Sequence, residues 1–282
     1  MKPPYKAFIA IVRAPLYSVK RPEAYQTGVS LPLPQPSTLV GALARAAAIA
    51  EGNPAGLPSG VAGDDYVREL TEWILGKLEL VRAVAKPVGF LARSSFMLSR
   101  VRALEESGKD ILSKMEKGRR IADAMVREYY WGRLALMYVF KGDIDSRRVL
   151  TWLSLLERLG DTESLVSPER VGEAKLEPLG SEGDVDTYTP VKWVESYDGE
   201  VFSLERLCEE KLCAVPIRDV GSFREFSSVY LVPLVERAAG RGRVILEGSK
   251  VRVRVAKDYG IWRVEGAGVA ANIVLPVAGE SR

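Results

Sequence analysis

The chain has 282 residues, 47% of them hydrophobic and 27% charged, with a formal net charge of +3. It is long enough to bury a sizeable core as one large domain or two ordinary ones. No apolar run approaches the twenty residues of a membrane span, and Met1-Lys2-Pro3-Pro4 leads straight into a strand, so a cytoplasmic protein without membrane contact is expected. With two cysteines and no histidine, neither a disulfide framework nor a tetrahedral zinc site is expected, and no cofactor is implied.

Tyr5 to Arg13 alternates like a strand. A loop of about twenty-three residues follows, a length that in a compact domain is usually functional. It contains the basic pair Lys20-Arg21 and the strip Ser30-Leu31-Pro32-Leu33-Pro34-Gln35-Pro36, whose prolines forbid helix and hold the backbone extended. Ser37 or Thr38 is then placed to cap a helix running to about Glu51. Its short side chains (Gly41, Ala42, Ala44, Ala46 to Ala48) suit close approach to a sheet. Gly52 to Gly63 reads as a surface loop, and Asp64-Asp65 opens a helix from Tyr66 to about Leu78.

Leu80 to Leu91 reads as extended, with Pro87 placing it at an edge or a bulge. Residues 93–125 show weak helical periodicity, and Leu134 to Phe140 makes a central strand. Asp143 or Asp145 caps a helix with Val149, Trp152, Leu153, Leu156 and Leu159 on one face, ended by Gly160. A turn and a short strand follow. The order strand, helix, strand, insertion, strand, helix, strand is that of an α+β ferredoxin-like domain, the fold of RNA-recognition motifs. We place it at 1–180. Residues 181–282 read as a mostly β second part, with strands at 187–194, 212–217, 228–235, 243–247, 250–256, 261–265 and 272–277.

Charge is segregated along the chain. Lys and Arg outnumber Asp and Glu by 5 to 1 over residues 1–35, 12 to 6 over 82–133 and 8 to 2 over 237–263, whereas residues 142–210 carry 7 against 17. One basic and one acidic face follow, and the basic one suits a polyanion. Around the first helix, Lys20 and Arg21 can neutralise phosphate while Gln26, Ser37 and Thr38 offer neutral hydrogen bonds near exposed amides. Arg45, two turns into the helix, either reaches the same groove or pairs with an acid. Arg241 and Arg243 sit in a glycine-flanked break in the second part.

Two segments resemble a known family. Pro34-Gln35-Pro36-Ser37-Thr38-Leu39-Val40-Gly41-Ala42-Leu43, with the basic loop before it, looks like the N-terminal signature of the RAMP-superfamily CRISPR subunits, most closely family 5 in its archaeal type I-A form. Leu159-Gly160-Asp161-Thr162-Glu163-Ser164-Leu165-Val166 resembles the turn after that family's second ferredoxin helix. Gly240-Arg241-Gly242-Arg243 with Gly248 is a weaker match to a glycine-rich loop. The resemblance implies a non-catalytic subunit of a type I-A Cascade complex in antiviral defence. Such a subunit holds the 5′ tag of the CRISPR RNA (crRNA) and contacts the backbone and large subunits. It also implies an RNA-gripping thumb at about 90–127, where Arg93, Arg100, Arg102, Lys109, Lys114, Lys117, Arg119 and Arg120 suit phosphates. A type III subunit in the equivalent 5′-end position would share this chemistry.

The alternative is an enzyme. Metal-free RNA cleavage needs groups to take and give protons near neutrality, a role that suits histidine. With none here, a pair drawn from Tyr129, Tyr130 and Lys141 would have to substitute, so no catalytic residue is assigned. Asp143 and Asp145 follow a strand as metal-binding aspartates do in palm-type enzymes, but both fall where helix caps are expected. Cys208 and Cys213 read as buried small groups rather than a redox pair.

Overall fold

The computed structural model describes residues 5–19, 21, 28–58, 60, 63–101, 112–113, 116–117, 122–160, 164–199, 201, 203–210, 224, 227–240 and 244–277. The first half runs β1 (Tyr5–Tyr17), α1 (Pro36–Glu51), α2 (Gly63–Gly76), β2 (Leu80–Val101), β3 (Ala122–Lys141), α3 (Ser146–Ser154) and β4 (Ser167–Gly180). These four strands lie in the order β2-β3-β1-β4, each antiparallel to its neighbour. The protein is a mixed α+β molecule in which strands predominate. Among the described residues no helix is long and apolar enough to cross a membrane.

The second half contributes β5 (Glu182–Val185), β6 (Thr189–Pro190), β7 (Val194–Asp198), β8 (Ser203–Cys208), β9 (Ser227–Val232), β10 (Leu234–Ala238), β11 (Val244–Gly248), β12 (Val251–Val255), β13 (Tyr259–Gly266) and β14 (Val269–Pro276). Four of these extend the first sheet into one of eight strands, β10-β11-β2-β3-β1-β4-β13-β14. The others form two three-stranded sheets, β5-β12-β7 and β6-β9-β8. Lys86 on β2 donates 3.1 Å to the Ala270 carbonyl on β14, five places along the sheet, so the sheet curls and brings β14 back to β2. Tyr5 on β1 meets Trp262 on β13 edge to face. This closure explains why Ala7 to Val12 is buried on both faces instead of alternating.

On the other face, the Tyr138 hydroxyl donates to the Leu39 carbonyl and ties α1 to β3. The three helices meet at Glu51, Arg148, Trp73 and Trp152. Arg148 bridges to Glu51 at 2.6 Å and lies 5.1 Å from the centroid of each indole, and the Trp152 ring N–H donates to Glu51. Hydrogen bonding from Arg148 holds the Glu51 carboxyl below its ordinary range, against the effect of burial. Gly41 is not a point of close approach, since a Cβ there would meet nothing within 4 Å. The short residues that do turn inward are Ala44, Ala46 and Ala47.

Several expectations are corrected. Neither Ser37 nor Thr38 caps α1: the cap position is Gln35, with no side-chain bond to the helix, and Pro36 opens the first turn. Asp145 does cap α3, accepting from the Arg147 amide at 2.9 Å, but the helix stops at Ser154, not Gly160. Leu156 and Leu159 remain buried beyond its end. The described residues of 93–125 are largely strand, because β2 and β3 continue as a ribbon past Pro87 and Gly132. In the second half, 191–193 is a helical turn, β8 appears where no strand was expected, and 212–217 lies outside the described residues.

Candidate nucleic-acid interface

The proline strip is an internal element. Leu31 and Leu33 are buried, along with Pro32, Pro34 and Pro36. Since proline has no N–H, the strip cannot run as an ordinary strand in a ladder, and its carbonyls need donors from elsewhere. Tyrosines supply them: the Tyr17 hydroxyl donates to the Pro32 carbonyl and the Tyr188 hydroxyl to that of Pro34 at 2.9 Å. Gln35 accepts from the Cys208 amide at 3.1 Å, which lays β8 across the start of α1. Burial pushes the Cys208 thiol up to about 11, opposed by a hydrogen bond from Ser37. Cys213 lies outside the described residues.

Upstream of the strip, Val19 and Arg21 are bonded to residues 29–31. The Leu31 amide donates to the Val19 carbonyl at 2.8 Å, the Arg21 amide to that of Val29 at 3.0 Å, and the Val19 amide to Ser30 Oγ at 2.9 Å. Here the two sequence motifs meet. Ser164 Oγ accepts from the Ser18 amide at 2.9 Å and donates to its carbonyl at 3.1 Å. Gly160 has φ +105°, and a Cβ there would lie 2.9 Å from the Ser18 carbonyl oxygen. Only glycine gives both the turn and the approach.

The same segment seats on β3. The Gly28 amide donates to the Val126 carbonyl at 2.9 Å and its carbonyl accepts from the Glu128 amide at 2.8 Å. A Cβ on Gly28 would come within 2.8 Å of Arg127. Arg127 Nε reaches Ser18 Oγ at 3.4 Å, and its guanidinium lies 5.3 Å from the Tyr129 ring centroid. Across the ribbon, Phe96 pairs with Arg127 in register and stands edge to face on Tyr129 at 5.6 Å. Tyr129 is buried, whereas Phe96 is 45% exposed. A cation and an open aromatic ring thus share one ribbon face, fixed from beneath by a buried ring.

The opposite face carries Tyr130, Glu128 and Arg93. Burial, then the nearby Glu128 carboxylate, pushes Tyr130 up to about 12, while Arg93 and Arg21 pull it down. Its phenol therefore stays protonated at neutral pH. Lys141 lies eleven positions along the same strand, roughly 35 Å away at about 3.3 Å per residue. Tyr130 and Lys141 therefore form no pair. Asp143 is exposed and 3.6 Å from Lys6, and Asp145 serves as the cap described above.

Of the residues expected to bind RNA, Arg21 and Arg93 stand at the ribbon base, each facing an acid: Arg21 to Glu205 at 2.7 Å and Arg93 to Glu236 at 3.5 Å. Arg100 lies on β2, opposite Asp123. Ser37 is 8% exposed beneath β8, and Thr38 is half-buried. Of the two readings of Arg45, pairing with an acid is the observed one, at 2.6 Å to Glu157 on the exposed helix side. Lys117 is exposed. Lys20, Gln26, Arg102, Lys109, Lys114, Arg119, Arg120, Arg241 and Arg243 lie outside the described residues. Sequence reasoning passed over Gly28, Phe96 and Arg127. The available signal was period-two spacing, with Ser94 and Phe96 opposite Tyr129 and Arg127 on two facing runs.

No family model matches the chain. It is 28% identical over 254 residues to the CRISPR-associated protein Cas5 of Methanocaldococcus jannaschii, covering 87% of this chain and 91% of that protein. It is 33% identical over 175 residues to the CRISPR-associated protein Cas5 of Thermoproteus tenax, covering 61% of this chain and 69% of that one. In fold it is similar to a CRISPR protein from Archaeoglobus fulgidus solved by crystallography, with a TM-score of 0.50 at 14% identity over 97% of this chain and 100% of that chain. The strip held by buried tyrosines and the glycine turn clamped on Ser18 are the two segments that carried the resemblance, and the two Cas5 relatives show that the chain belongs to the CRISPR-associated Cas5 family.

Proposed function

We propose that this protein is a non-catalytic crRNA-binding subunit of a type I-A Cascade complex in the cytoplasm, holding the 5′ tag of the crRNA and contacting the backbone and large subunits in antiviral defence. The observation that carries this reading is the ribbon base. An exposed Phe96 and a cationic Arg127 stand on one face, with Arg21 and Arg93 behind, all gathered where the basic loop returns to β3. Single-stranded RNA is held by such sets through base stacking and phosphate pairing. The ribbon fits the gripping thumb, about 90–127, of a ferredoxin-like RAMP domain spanning 1–180, followed by a β-rich part at 181–282. The β2-β3-β1-β4 order, all antiparallel, supports that assignment.

The 5′ end enters this reading at the loop surface beside Arg21, because the start of α1 is covered by β8. A chain without histidine, in which Tyr130 and Lys141 stand too far apart along β3 to act as a pair, suits retention of RNA rather than turnover. The test is incubation of the pure protein with labelled repeat RNA, with and without magnesium. The expected result is a retained complex that weakens steeply with salt and intact RNA throughout. Specific cleavage abolished by one point mutation would overturn the non-catalytic reading.

A further inference from the structure

We infer that Glu205 is an affinity-setting residue of the RNA site, one that occupies Arg21 where a phosphate would otherwise sit. This rests on the RNA-binding reading above and specifies how that site is tuned. Arg21 Nη2 donates to Glu205 Oε1 at 2.7 Å, and Glu205 is anchored from its own strand by the Ser203 hydroxyl at 2.9 Å. The Glu205 side chain is 10% exposed and that of Arg21 35%, so the acid is fixed and the cation reaches solvent. The Arg21 amide is bonded to the Val29 carbonyl, which fixes the backbone from which the side chain projects.

The guanidinium edge formed by Nε and Nη2 accommodates two acceptor oxygens side by side, and a carboxylate or a phosphodiester presents acceptors of that kind. In Arg45, both atoms of this edge donate to Glu157. In Arg21 only Nη2 is taken, while Nε is buried with no hydrogen-bond partner among the described residues. The edge is half filled. The side chain keeps an exposed part, and a phosphate approaching it meets the fixed charge of Glu205 beside the same guanidinium. Glu205 belongs to the acidic stretch 142–210 noted in the sequence, which by its charge repels RNA and here meets the basic loop at Arg21.

The test compares wild type, Glu205→Gln, Arg21→Gln and the double variant in binding labelled repeat RNA across a salt series. Glutamine keeps an acceptor for Arg21 and Ser203 and removes only the charge. Glu205→Gln is expected to bind several-fold tighter at low salt, with the slope of log affinity against log salt steeper by up to about 0.7, the value for one phosphate on a single strand. The gain should vanish in the Arg21→Gln background. Glu182→Gln, which removes the same charge from a surface pair with Arg252 and Arg254, should leave binding unchanged. Glu205→Gln binding as wild type or more weakly overturns the inference, as does a gain that persists without Arg21. No RNA binding by wild type would instead remove the functional reading beneath it.

Discussion

Replacing Arg82 with Ala is expected to destabilise the protein by about 3–5 kcal/mol, read as a lower midpoint in equilibrium denaturation. The Arg82 side chain is 1% exposed. It donates 3.0 Å to Glu210 and 2.9 Å to the Tyr188 carbonyl, and its guanidinium lies 4.8 Å from the Trp193 ring centroid and 5.6 Å from that of Tyr230. Burial works against its charge, but Glu210 and the surrounding phenols outweigh this and hold its pKa raised. The substitution takes away the guanidinium that a buried carboxylate faces, and that loss dominates the expected effect. It also loosens Tyr188, whose hydroxyl supports Pro34, so the proline strip should lose order together with the second half. A loss below about 1 kcal/mol, no more than an exposed ion pair contributes, would mean that the buried Arg82–Glu210 pair adds little to stability.

Phe96→Ala is expected to weaken binding of repeat RNA by about 1–3 kcal/mol if one base stacks on it, roughly five- to 150-fold. The ring is half exposed and touches Tyr129 by its edge, so stability should change by less than about 0.5 kcal/mol. Arg127→Gln should act differently, flattening the salt dependence by about 0.7 for a single phosphate lost. Affinity unchanged in Phe96→Ala would remove the ribbon face as a stacking platform.

Much of the framework was legible because it follows from local rules. β1, the order of elements in the first half, the Asp145 cap and the irregularity at Pro87 all come from apolar period, capping chemistry and the missing proline N–H. The burial of Leu31 to Pro36 was not legible. Three prolines in a row of seven read as an exposed loop, and the hydroxyl that supports Pro34 belongs to Tyr188, 154 residues away. The ribbon was missed for a related reason. The period-two signal at Ser94, Phe96, Arg127 and Tyr129 is short and mixes polar with aromatic residues, and Gly108 and Gly118 made 93–125 look like interrupted helix. β8 was hidden because Glu205 and Arg206 break its apolar pattern, although Glu205 is there to meet Arg21. Composition pointed to Arg21 and Arg93 but not to Arg127, and the acids that Arg21 and Arg93 face, Glu205 and Glu236, are set by the fold.

Crosslinking of a photoreactive nucleotide at the 5′ end of crRNA, in the assembled complex, followed by mapping of the adduct, tests the central claim most directly. The account predicts adducts in residues 18–31 and on the ribbon, 90–101 and 122–130. Adducts confined to residues 187–282 would contradict it, leaving the strip and the ribbon base as structural or partner-binding elements.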